Sequence, residues 1–163
     1  MTLHEVRVYP SKEFLAKEDQ LAYKLAQTAI YEAPISAEVE DMVINRIIDN
    51  AAVAIASFGR SPVINARAQA MGHQRAPRGA NIFGLPNDLR VHAEWAAWAN
   101  CVAVRELDYH DTFLAADYSH PADSIPAVLA VAQQMQKSGK DLLKGIVAAY
   151  EVHVNLVKGI CLH

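Results

Sequence analysis

Between two apolar stretches of this chain lies a run crowded with groups that can move protons, Glu106 to Pro121, reading ELDYHDTFLAADYSHP. It holds the carboxylates of Glu106, Asp108, Asp111 and Asp117, the imidazoles of His110 and His120, and the hydroxyls of Tyr109, Thr112, Tyr118 and Ser119. Titratable groups carried into a helical core cost desolvation unless they are paired or used. Loops on a rigid scaffold are also where function collects. Elimination of water from a β-hydroxy acid needs a base for the proton beside a carboxylate, an acid for the departing hydroxyl, and fixed donors for the developing charge. An Asp, a His and a Thr in a dry pocket could supply these. Asp108, Asp111 and Thr112 stand at i, i+3 and i+4, so a helical turn there would set them on one side. His120 precedes a helix start, where free N–H groups would favour a substrate carboxylate. Plainer readings stand beside these: Asp108 or Asp111 as a turn cap, and His110 as a hydrogen-bonded loop histidine. A different chemistry is suggested by His92 with His110, Asp111 and a further Asp, residue types found in helical His–Asp metal sites of phosphohydrolases. A lone His–Asp pair is common, and His92 and His153 lie in helical patterns where a structural role is the simpler one.

The elements that must position this run are mostly helical. Residues 13–33 place Leu21, Leu25, Ala29 and Ile30 on one face, and Pro34 ends that pattern because proline lacks an N–H and clashes with the preceding turn. Ser36 is an N-cap candidate, with Glu38 and Glu40 in the first turn where the helix dipole favours anions. The helix it starts is expected to reach Phe58, with Gly59 as its stop. Its second half, AAVAIASF, is apolar all round and predicts burial. Pro62 opens a shorter helix to about Gln74. Residues 75–89 read as a loop with one extended piece, Asn81 to Phe83. The alanine-rich residues 90–107 predict a central helix, with Trp95 and Trp98 as core. Further helices are expected from Ser124 to Lys137, closed by Ser138 and Gly139, and from Lys140 or Asp141 onward. The architecture expected is an all-α array with short loops.

The chain has 163 residues, about half of them apolar and a fifth charged, ordinary proportions for one compact domain. No apolar stretch approaches the roughly 18–20 residues that span a bilayer, and the opening MTLHEVRVYPSKEF lacks the apolar core of a secretory signal. The expectation is therefore a cytoplasmic protein with no membrane partner and with two free buried thiols, Cys101 and Cys161. Neither cysteine has metal-ligand spacing. A net charge of −3 argues against nucleic acid as a partner. Residues 60–105 nevertheless carry Arg60, Arg67, Arg75, Arg78, Arg90 and Arg105 against only Asp88 and Glu94. A solvated face is the plain reading; a positive rim that draws in an anionic substrate is the sharper one.

The run AVRELDYHDTFLAADYSHPADSIPAVLAVAQ, the ending AAYEVHVNLVKGICLH and the KEDQLAYKLA near the start together resemble the MmgE/PrpD family over nearly the whole chain. The D-x-x-D-T segment followed by His-Pro carries the family resemblance, and the wording HDTFLAADYSHP that of its 2-methylcitrate dehydratase branch. The resemblance implies a lyase that dehydrates 2-methylcitrate to 2-methyl-cis-aconitate in propionate catabolism, the methylcitrate cycle, without cofactor, metal or iron–sulfur cluster. Cis-aconitate decarboxylation and citrate dehydration are the alternatives within the family. It further implies that residues 1–163 are the amino-terminal part of a large helical domain, with a smaller α/β domain beyond, the pocket between them, and a homodimeric full-length protein. The apolar ending GICLH fits a chain expected to continue, with this piece inactive alone. By the same resemblance Asp108, Thr112 and His120 match active-site positions. Asp108 is the candidate base and His120 the candidate acid or carboxylate contact, an assignment that could be reversed, with Thr112 as the orienting hydroxyl; Thr112, Asp111 and His110 are the candidate substrate contacts. One departure is Ala122, where the family pattern has glycine.

Overall fold

A computed structural model describes residues 9–31 and 34–160. The chain divides into two compact units, Met1–Ala33 and Pro34–His163. In the first, a 3-10 turn at Lys17–Asp19 precedes helix α1, Leu21–Ile30. The helix therefore starts later than the apolar spacing alone predicts, because Gln20 is extended and interrupts the pattern.

The second unit is the helical array: α2 (Ala37–Ser57), α3 (Ser61–Met71), α4 (Ala93–Arg105), α5 (Ile125–Gln134) and α6 (Gly139–Gly159). Ser36 caps α2 as its sequence position predicts, its hydroxyl accepting from the Val39 N–H at 3.3 Å. Ser138 opens α6 instead of closing α5. Its hydroxyl accepts from the Asp141 N–H while the Asp141 carboxylate accepts from the Ser138 N–H, a reciprocal cap that satisfies two N–H donors. Helix α4 packs against α2, α3 and α5. Ala93, Ala96, Ala99 and Ala103 on it are buried, and side chains that small let three neighbours approach closely.

Two two-stranded antiparallel ribbons lie beside the helices. β1 (Ala80–Asn81) pairs with β2 (Arg90–Val91), so the first residues expected in α4 are strand. β3 (Phe113–Leu114) pairs with β4 (Tyr118–Ser119). Buried Asn100 on α4 holds the first ribbon's exit: its Oδ1 accepts from the Phe83 N–H at 2.8 Å and its Nδ2 donates to the Asn81 carbonyl at 3.0 Å. The hydroxyl of buried Ser57 lies 2.6 Å from the Ala103 carbonyl and ties α2 to α4. Gly145 matters for close approach, since a Cβ there would stand 2.8 Å from Val128 Cγ1 of α5. No single helix among the described residues is long and apolar enough to cross a membrane.

Two expectations about burial are corrected. The second half of α2 is not buried all round. Val53, Ala54 and Ser57 face inward, while Ile55 is 65% exposed and continues an uncovered stripe with Ile44 and Ile48. Composition shows that a helix is apolar, but not how many neighbours it has. Likewise Trp98 is half exposed, while the buried positions of α4 are taken by alanines with Asn100 and Val104. Trp95 is half-buried and stacks on His73, ring centroids 3.7 Å apart. Cys101 is half-buried, and Cys161 lies outside the described residues.

Candidate functional site

The site is built at the C-terminal end of α4. The helix stops at Arg105, and the chain turns through Asp108, a non-glycine residue with φ +50°. Left-handed backbone of this kind costs a side-chain-bearing residue energy, and it persists only where surrounding contacts impose it. Here the contact is Arg105, whose guanidinium grips the Asp108 carboxylate. That hydrogen bond, with the charge of the same arginine, holds the Asp108 carboxyl below the usual aspartate range. No helical turn joins Asp108, Asp111 and Thr112, so the shared face expected from their spacing does not form. Residues 109–112 run on without helix into β3, and the three side chains go to different partners.

His110 turns inward. Its side chain is fully buried, its Nε2 lies 2.7 Å from Asp123 Oδ1, and its buried Nδ1 has no partner. The ring stacks on His120, centroids 5.1 Å apart and planes 27° apart. Asp111 is also withdrawn: the Tyr150 hydroxyl of α6 donates to its Oδ2 at 2.7 Å, and Arg46 Nε of α2 lies 3.5 Å from its Oδ1. Burial, and then the bond to Asp111, push the Tyr150 phenol well above its ordinary range. An apolar groove between α2 and α6, lined by Val39, Met42, Val43 and Ile146, leads up to Arg46 and Tyr150.

His120 follows β4 and precedes a short 3-10 turn, Pro121–Ser124. Its Nδ1 lies 3.0 Å from the Asp111 carbonyl. A carbonyl can only accept, so this nitrogen carries the proton. The other nitrogen, Nε2, lies 3.7 Å from Asp108 Oδ1 and is the one left for proton transfer. The Thr112 hydroxyl is 3.4 Å from Nδ1 and 3.3 Å from the His110 carbonyl, on the opposite side of the ring from Nε2. The Ser119 hydroxyl, adjacent in β4, is buried without a partner.

The fold thus brings together Asp108, Thr112 and His120, and packs His110 and Asp111 behind them. Residue types and spacing did not single out Arg46, Asp123 or Tyr150, and marked Arg105 only as one of the six arginines of a basic stretch. Asp123 and Arg105 adjoin the polar run and carry a weak signal of proximity. Arg46 and Tyr150 reach the site from helices far away in sequence. His92 is not part of it: it caps the start of α4 and bonds Arg75, whereas His110 follows the end of that helix. Thirteen helical residues separate the two, roughly 20 Å of rise. No group of three or more possible metal ligands occurs among the described residues.

Relatives of known description support a single family. A 2-methylcitrate dehydratase, mitochondrial, of Yarrowia lipolytica is 31% identical over 91 residues, covering 49% of this chain and 17% of that protein. A 2-methylcitrate dehydratase of Salmonella typhi is 29% identical over 86 residues, 47% of this chain and 17% of the relative. A probable 2-methylcitrate dehydratase of Saccharomyces cerevisiae is 35% identical over 89 residues, again 47% and 17%. The matched part of the chain therefore spans about a sixth of these relatives' length. The model of the MmgE/PrpD N-terminal domain matches residues 19–163, nearly the whole chain, and the chain belongs to the MmgE/PrpD family.

Proposed function

We propose that the protein contributes the Asp108–His120 wall of a 2-methylcitrate dehydratase active site. The observation that carries this reading is the facing of Asp108 Oδ1 and His120 Nε2 at 3.7 Å, at the edge of a strained turn, in a chain of the MmgE/PrpD family. The Asp108 carboxylate, kept ionised by Arg105, takes the proton from the carbon beside a substrate carboxylate. His120 acts as the imidazolium: Nδ1–H stays on the Asp111 carbonyl, and the second proton passes from Nε2 to the departing hydroxyl, which leaves as water while the C–C double bond forms and the ring is left neutral. Thr112 steadies the His120 ring. The ligand class is a small tricarboxylate, and the whole protein acts as a homodimer.

The test is a dehydration assay on the full-length gene product with 2-methylcitrate and excess chelator, following the absorbance of the new conjugated double bond. Asp108→Asn and His120→Gln should each lower kcat by about 10²–10⁴-fold. Full turnover in either variant removes that residue from the chemistry, and activity appearing only with added metal removes the cofactor-free reading. Product analysis separates dehydration from decarboxylation.

A further inference from the structure

We infer that Arg105 is the residue that binds a substrate carboxylate at this site, and that Asp108 and Asp123 hold its place until the substrate arrives. The inference rests on the dehydratase reading and gives Arg105 a part there beyond holding Asp108 ionised.

The argument starts from charge. The site assembles three carboxylates, Asp108, Asp111 and Asp123, against two guanidiniums, Arg46 and Arg105. A trianionic ligand cannot settle beside three carboxylates unless a cation turns towards it. Arg46 stands behind the site, on the withdrawn Asp111. Arg105 stands at its front. It grips Asp108, which is 69% exposed, and its Nε is 3.9 Å from Asp123 Oδ2, while 42% of its own side chain remains open to solvent. Four other arginines of the basic stretch have partners elsewhere: Arg60 bonds Glu106 at 3.0 Å, Arg67 lies over the Phe58 ring, Arg75 bonds the Arg78 carbonyl, and Arg90 the Gly79 carbonyl.

Geometry completes the argument. Arg105 ends α4, a helix packed against three others, so its backbone is fixed and only the side chain has to swing. A guanidinium presents five N–H donors in a planar fork matched to a carboxylate, which makes it fit to exchange one carboxylate for another without losing hydrogen bonds. When a substrate carboxylate takes the fork, Asp108 loses the partner that weakens it as a base. Binding and activation of the base are then one event at the same residue.

The experiment compares wild type, Arg105→Ala and Arg105→Lys of the full-length gene product. Tricarballylate, a tricarboxylate with no hydroxyl to eliminate, serves as a binding probe in calorimetry, and 2-methylcitrate as substrate. Arg105→Ala should weaken tricarballylate by about 10–100-fold, the range of one lost charge-assisted contact. Arg105→Lys should recover part of it, and added methylguanidinium should restore binding to the alanine variant. Wild-type binding retained by Arg105→Ala overturns the assignment. So does a loss that neither lysine nor methylguanidinium relieves, the pattern of a merely structural arginine. A wild type that neither binds tricarballylate nor dehydrates 2-methylcitrate removes the dehydratase reading itself; a wild type that does both, with an indifferent Arg105→Ala, removes this inference alone.

Discussion

Replacing Tyr150 by phenylalanine takes one hydroxyl from the structure and leaves the ring. The hydroxyl donates at 2.7 Å to Asp111 Oδ2, a carboxylate only 7% exposed. What remains for Asp111 is Arg46, 3.5 Å from the other oxygen. A hydrogen bond to a charged acceptor contributes about 1.5–3 kcal/mol, and phenylalanine fills the same volume, so no cavity adds to the loss. Tyr150→Phe should therefore destabilise the protein by about 2 kcal/mol at pH 7, read from urea unfolding with an unchanged m value. The pH dependence gives a second, independent check. Burial first, then the Asp111 bond and charge, raise the Tyr150 pKa above its unfolded value of 10.0. A raised pKa in the folded state gives stability that is fully present below the unfolded value and is lost as pH climbs above it. Wild type should therefore lose stability from about pH 10 upward faster than Tyr150→Phe, and the gap between them should narrow. A difference below about 0.5 kcal/mol at pH 7, or a gap that stays constant from pH 9 to 11, would refute the reasoning.

Cys101 gives another prediction. Burial, and then the Asp123 charge, push its thiol up to about 11. The thiolate is the reactive form, so iodoacetamide at pH 8 should label Cys101 at least about tenfold more slowly in the folded than in the unfolded protein. Labelling should accelerate as pH rises towards 11, followed by mass spectrometry of the Cys101 peptide. Asn100→Ala removes the bonds to the Phe83 N–H and the Asn81 carbonyl together. Two stranded backbone groups should cost about 2–4 kcal/mol, seen as a lower thermal midpoint. Unchanged stability would mean that water replaces the side chain.

The fold was legible where a local signal carried it. Ser36 followed by glutamates marked a helix start, the alanines of residues 93–103 marked the helix that others crowd, and Pro34 and Gly59 marked the stops. What escaped depends on neighbours that no window of sequence contains. Trp98 and Ile55 have core character and lie on uncovered sides of their helices. The strand at Arg90–Val91 exists because it meets Ala80–Asn81 across a loop. At the site, Asp108, Thr112 and His120 could be singled out from residue type and family pattern. Their arrangement could not, because the positive φ at Asp108 replaced the expected helical turn. Arg46 and Tyr150 carried no signal at all: their partner Asp111 is 65 and 39 positions away by residue number.

That last separation bears on when, during synthesis, the site comes into being. The carboxylate of Asp111 meets its clasp on α6 only after 39 further residues have been made. At roughly 5–20 residues per second that is a delay of about 2–8 s. For that interval the nascent chain holds Asp111 with only α2 to answer it, and the Asp111 carbonyl that sets the His120 ring has no anchor on the later side. The Asp111 loop is therefore completed only when α6 has been made, and Asp111 and the His120 ring that rests on it are among the last parts of this unit to take their places. A pause in translation between the codons for Asp111 and Tyr150 would lengthen the exposure of those groups, and of the α2 and α5 surfaces that α6 covers, without altering the finished protein.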